Sequence, residues 1–255
     1  MIDRLNLRFL HVVSRNFLVW RKLVFASLVG NLADPLIYLV GLGFGLGAFM
    51  PPVAGMRYVD YLAAGMICYS AMNSATFEAL YSAFSRLKIQ RTWEGILHAP
   101  MTTTDVVAGE WVWAALKSTL SGAAMLLAMY LLGIVHGWHP LTVLPVVLLI
   151  GLCFAGLGLV MTAVAKSYDF FIFYFTLLIT PMMFLSGVFY PRNALPELVQ
   201  DIAAALPLAH GADLARGLTL GLPMAHPVRD LLVLVGYALG SVLLAIRLIG
   251  RRLLK

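Results

Sequence analysis

The sequence predicts an all-α membrane protein with six transmembrane helices, an N-terminal amphipathic helix at the interface, and an external re-entrant helical hairpin between helices five and six. Three observations carry that prediction. The 255 residues are 61% hydrophobic and only 12% charged, with a mean hydropathy of +0.90, far outside the range of soluble domains. Apolar stretches of about 20 residues, enough to cross a hydrocarbon core of about 30 Å, recur along the chain. Lys and Arg gather in alternate connections, as topology demands of a polytopic protein.

In residues 2–22, Arg4, Arg8, His11 and Arg15 recur at spacings of four, three and four, with Leu5, Phe9, Val12, Val13 and Phe17 opposite. That pattern predicts a helix lying on the membrane surface. No compact basic start precedes an apolar core, so the first membrane helix is expected to act as its own signal. Apolar spans follow at 23–49, 59–83, 106–135, 141–165, 170–190 and 228–249. Thirteen Lys and Arg fall on the face holding both termini, against Arg57, Arg192, Arg216 and Arg229 on the other, with Lys117 within or near a span. The count places both termini in the cytoplasm. The excess of 18 basic over 12 acidic residues therefore reports orientation, not nucleic-acid binding. No linker, low-complexity tract or repeat divides the chain, and residues 1–255 read as one transmembrane domain.

Two connections are long enough to hold structure, 84–105 inside and 191–227 outside. In the first, Ile89, Trp93, Ile96 and Leu97 recur at helical spacing while Arg86, Lys88, Arg91 and Glu94 lie off that face, which predicts an amphipathic helix from Arg86 to Leu97. Its apolar face suits either a soluble partner or lipid headgroups. Pro100 stops it, and Thr102 with Asp105 forms a capping box that starts the next membrane helix. In the second, Pro181 is expected to interrupt the fifth span, Ser186-Gly187 to supply a flexible polar break, and Pro191 to forbid continuation. Leu195, Leu198, Val199, Ile202 and Leu206 restart a helical pattern that Pro207 ends, and Asp213 and Arg216 are spaced to pair on a further short helix. Neither short helix spans a bilayer, hence the hairpin.

Charged and small residues inside the spans have structural readings. Asp34 sits near the cytoplasmic end of the first span, solvated by the interface or paired with Arg21 or Lys22. Glu78, Glu110 and Lys117 read as a structural ion network rather than a proton relay. Gly41 with Gly45, and Gly43 with Gly47, offer close approach to another helix. Cys68 and Cys153 lie in apolar segments without metal or disulfide spacing, and His136 and His139 flank Trp138 in a short external turn. The sequence has no GxxxxGK phosphate loop, GxSxG elbow or HExxH pair, so no catalytic, cofactor or metal residue is assigned. If ATP drives this protein, another chain hydrolyses it.

The run PMMFLSGVFYPRNALPELVQ, followed by LPLAHGADLARGLTLG, resembles the permease family of type-2 ATP-binding-cassette exporters, and the order of elements resembles it along the whole chain. Within that family, EGILHAPMTTTDVVAGE and LPLAHGADLARG look most like the permeases of nodulation-factor exporters, which move a lipo-chitooligosaccharide. The resemblance implies a half-transporter in the bacterial inner membrane. Two copies of this chain would form the pathway, and two copies of a cytoplasmic ATPase would bind ATP and Mg and power it, the permease taking no cofactor itself. Trp93, Glu94, Gly95, Ile96, Leu97, Pro100 and Met101 would couple to the ATPase, with the interfacial helix around Arg8 and Arg15 beside it. Phe184, Ser186, Gly187, Tyr190, Pro191, Pro196, Pro207 and Arg216 would form the outer gate, with Gly187 as its hinge. The cargo implied is amphipathic and lipid-linked; a drug or other glycolipid exporter shares the architecture, and a proton-driven transporter would need Asp34, Glu78 or Glu110 to titrate.

Overall fold

Eleven α-helices join into rods that run alternately between two ends of a bundle, and the computed structural model describes residues 7–53 and 55–253. Arg4, Leu5 and Lys255 lie outside the described residues. The first rod is α1 (Phe9–Trp20), which passes through a tight turn at Arg21–Leu23 into α2 (Val24–Tyr38) and a π-helical stretch, Leu39–Gly45. Its amphipathic start is present: Val12 and Asn16 are buried, Phe9, Val13 and Arg15 half-buried, and Arg8 and His11 exposed. Helix α2 leaves Phe25, Val29 and Ile37 exposed, an apolar surface that water tolerates poorly.

The central rod is α3 (Tyr58–Phe77), continued by π-helical turns to Ile89; seventeen of the twenty α3 residues are buried. It is followed by α4 (Thr92–Leu97), α5 (Thr103–Leu131), α6 (Leu144–Val164), α7 (Asp169–Tyr174), α8 (Thr180–Leu185), α9 (Glu197–Ala205), α10 (Pro207–Leu220) and α11 (Pro227–Leu253). Four rods, Phe9–Ala48, Thr103–Leu131, His139–Val164 and Pro227–Leu253, are long and apolar enough to cross a membrane. The rod at 58–89 has the length, but its window carries more Ser, Asn and Tyr, and Asp169–Leu185 is a shorter apolar helix.

Small residues set the packing. Helices α5 and α6 meet where Gly122 faces Val147 and Gly151 faces Ser118, and α6 meets α11 where Gly156 faces Ser241. Of the paired glycines in the first rod, Gly43 packs on Val59 and Gly47 on Tyr58, whereas Gly41 and Gly45 face open space. One pattern is thus consumed inside the chain.

Three local expectations change. Pro181 does not interrupt its helix: it sits at the start of α8, and the π-helical turn Phe175–Ile179 just before it gives the ring room. The helix expected from Arg86 to Leu97 is two pieces, because Arg91 adopts φ +50°, a left-handed conformation that ends one rod before α4 begins. Pro207 stands at the first turn of α10, where its missing N–H costs nothing, so it starts a helix as well as separating it from α9. The capping box is as read: Thr102 Oγ accepts from the Asp105 N–H at 3.1 Å, and Asp105 Oδ2 accepts from the Thr102 N–H at 2.9 Å.

Candidate functional site

The α4 end of the bundle is organised by charges that the sequence scatters from Arg15 to Lys117. Arg86, on the last turns of the central rod, donates to Glu110 of α5 from Nε at 2.9 Å and Nη2 at 2.6 Å, and to Glu78 at 2.8 Å. Lys117 completes the set with a 2.7 Å bond to Glu78, not to Glu110 on its own helix. Two cations therefore balance two carboxylates, and the indoles help: Trp113 Nε1 donates to Glu78 and Trp93 Nε1 to Glu110, each at 3.0 Å. Asn16 of α1 donates to Glu110 at 3.1 Å, with Arg15 behind it at 3.0 Å. The arrangement is a four-way brace joining α1, the central rod, α4 and α5.

Within it, Trp93 is a pillar rather than a protruding knob. It is fully buried and packs with Val106, Val107 and Leu159, so it cannot touch a soluble partner directly. Ile96 and Leu97 pack partly against the same cluster, whereas Glu94, Gly95 and Pro100 are exposed and Met101 is half-buried. Arg8 donates to the Pro100 carbonyl at 2.7 Å, tying the start of the chain to the segment after α4. At the same end Arg252 caps α6 by donating to the carbonyls of Thr162, Ala163 and Ala165 at 2.7–2.8 Å. Arg8 and Leu253, near the two limits of the described residues, therefore both lie at the α4 end of the bundle.

The other end is built around the turn at 186–190. Gly187 has φ +77°, which glycine alone takes at no steric cost. Its carbonyl accepts from Tyr61 Oη at 2.9 Å and from Arg216 Nη2. Val188 lies so close to α3 that a Cβ on Gly65 would stand 2.6 Å from its carbonyl oxygen. Ser186 and Val188 are fully buried. The stretch expected as a flexible break is thus a turn tucked into the bundle and clamped from two helices. Of the other residues expected at the outer gate, Phe184 stacks on Phe189 at 5.2 Å, Tyr190 and Pro191 are half-buried, and Pro196 precedes the first turn of α9. Arg216 is buried with its guanidinium 4.0 Å from the Tyr61 ring centre, and Asp213, its expected partner, is bound more closely by Arg192 than by Arg216 at 3.8 Å. His210 faces Asp230 through Nδ1 at 2.7 Å and the Ala204 carbonyl through Nε2 at 2.9 Å.

Asp34 also finds a different partner from the Arg21 or Lys22 expected for it. It accepts from the Tyr69 hydroxyl on α3, while Arg21 and Lys22 are exposed. Sequence reasoning missed Tyr61, Tyr69, Trp113 and Asn16; a tryptophan or tyrosine inside an apolar run has no local mark that distinguishes a polar partner from a packing residue. Arg86 was legible as a charge but assigned to a surface.

The four long apolar rods define a polytopic membrane protein, and the chain belongs to the ABC-2 type transporter family, whose model matches residues 8–220. It is similar to Nodulation protein J of Rhizobium leguminosarum bv. viciae, 49% identical over 98% of this chain and 96% of that one. Nodulation protein J of Rhizobium meliloti (strain 1021) is 47% identical over 95% of this chain and 93% of that one. Inner membrane transport permease YadH of Escherichia coli (strain K12) is more distant, 27% identical over 75% of this chain and 77% of its own.

Proposed function

We propose that this chain is the transmembrane subunit of an ATP-binding-cassette exporter that moves an amphipathic, lipid-linked oligosaccharide of the nodulation-factor class out across the bacterial inner membrane. The near-full-length similarity to proteins named Nodulation protein J supports the cargo class. Two copies of the chain form the pathway, each crossing the membrane six times: the four long apolar rods, the buried rod at 58–89, and the rod at 169–185 extended by its turn. The α4 end faces the cytoplasm, which agrees with Arg8, Arg86, Lys166 and Arg252 gathering there. Helix α1 lies along the cytoplasmic interface, and α9 with α10 forms the external hairpin.

The observation that carries the mechanism is the anchorage of α4. A six-residue helix by itself is marginal, yet this one hangs from a buried tryptophan on the ion-paired brace. Force applied to its exposed side by a nucleotide-driven ATPase pair reaches α1, the central rod and α5 together, so these elements shift as stiff bodies. At the other end of the central rod, Tyr61 and Gly65 hold the 186–190 turn. That turn and α10 gate the outer mouth by moving with α3 rather than by flexing at Gly187 alone.

Gly95 offers the test. A Cβ there meets nothing within 4 Å, so Gly95→Arg preserves the fold while placing a bulky cation on the docking face. The variant is expected to lose the co-purifying ATPase and the export of lipo-oligosaccharide with unchanged thermal stability. Full retention of the ATPase by Gly95→Arg refutes this docking face, and normal oligosaccharide export after deletion of the gene refutes the cargo.

A further inference from the structure

A polar pocket of about 450 Å³ lies at the end of the bundle away from α4, between the start of α3, the residues after the clamped turn, α10 and the 221–226 loop. That volume is in the range that holds small ligands. Its lining is rich in fixed charge: Arg192, Arg216 and Arg229 converge on it with Asp213 and Asp230. The pairing is uneven. Arg192 takes up Asp213, and Asp230 is engaged by His210 at 2.7 Å. Arg229, its side chain 57% exposed at the rim, reaches Asp230 only at 3.3 Å. Arg216 approaches Asp213 only at 3.8 Å, and its buried Nε–H has no acceptor. Buried N–H donors are almost always satisfied, so this unpaired Nε–H marks Arg216, which lines the pocket, as short of an acceptor.

We propose that this pocket binds a small oxyanion of the phosphate type, with Arg216 and Arg229 as its chief donors. Three guanidiniums against two carboxylates leave an excess positive charge. Guanidinium forks match the edges of a tetrahedral oxyanion better than any other side chain does. A membrane phospholipid headgroup and free phosphate present the same chemistry. Arg216 already gives Nη2 to the Gly187 carbonyl, so its Nε–H, which has no acceptor, is the part of its fork left for the anion.

The test uses the full-length chain purified in phosphate-free detergent and reads binding, so it stands whether or not the exporter reading does. Thermal unfolding is followed while titrating sodium phosphate against sodium chloride at matched ionic strength. In parallel, short-chain phosphatidylglycerol is titrated against the diacylglycerol that lacks the phosphate. The expected result is a saturable rise in unfolding temperature with at least one phosphate-bearing probe and neither control, with at least tenfold weaker apparent affinity in Arg229→Gln and Arg216→Lys. A response to phosphate alone assigns a free anion, a response to phosphatidylglycerol alone assigns a lipid headgroup, and a response to both supports the shared chemistry. Absence of any response beyond the controls overturns the proposal. So does unchanged affinity in Arg229→Gln, a rim variant whose exposure lets it fold even if Arg216→Lys does not.

Discussion

Replacing Arg86 by Met removes the cation that two buried carboxylates share, and the loss falls unequally. Glu78 keeps Lys117 at 2.7 Å, together with Trp113 and Ser82 at 3.0 Å. Glu110, only 1% exposed, keeps the neutral donors Trp93 and Asn16. Stripping one partner from a buried pair costs about 3–5 kcal/mol. For a chain of this length, that loss lowers the unfolding temperature by roughly 10 °C. The assay is thermal unfolding in detergent of the wild type, Arg86→Met, Glu110→Gln and the double variant. The double variant, which restores charge balance, is expected to recover at least half of the deficit, a coupling of about 2 kcal/mol. A drop below about 3 °C or strict additivity would refute the brace.

Three further outcomes follow from the packing. Gly187→Leu forces a side chain into φ +77°, costing about 1–2 kcal/mol, and sets its Cβ 2.9 Å from Arg192 Cγ; export is expected to fall while ATPase co-purification persists. Normal export by that variant would remove the turn from the gate. Gly109→Val places a Cβ 2.5 Å from Val12 Cβ and 2.8 Å from the Phe9 carbonyl, so α1 must leave α5; destabilisation of about 1–3 kcal/mol is expected, and an unchanged unfolding temperature would contradict the contact. Cys68 and Cys153 are fully buried, and the native protein should take up no maleimide where the denatured protein takes up two equivalents.

Much of the fold was legible because it depends on neighbours in sequence. Apolar length marked the rods, the Thr102–Asp105 capping box marked the start of α5, and the charge count grouped Arg8, Arg86 and Arg252 at one end before any contact was known. The amphipathic repeat of Ile89, Trp93, Ile96 and Leu97 located the segment around α4, but periodicity could not reveal that Arg91 breaks the helix or that Trp93 turns inward. Its indole is drawn inward by Glu110, seventeen positions away. Pro181 was read by its ordinary helix-breaking habit, and the wide turn before it removed the conflict that the habit rests on.

Hydropathy, capping and net charge are local or additive, so the sequence by itself determined an all-helical membrane protein, where its long helices begin, and which connections carry charge. Partner choice is neither local nor additive. Glu78 takes Lys117 across 39 residues, Asn16 reaches Glu110 across 94, and Tyr61 holds the Gly187 carbonyl across 126. Such bonds form only after helices approach within a few ångströms, and that approach is set by where glycines let backbones meet. Only the tertiary structure decided that Arg86 is the centre of a buried brace, that Gly187 sits in a clamped turn, and that three arginines surround one pocket, because each depends on which helix faces came together.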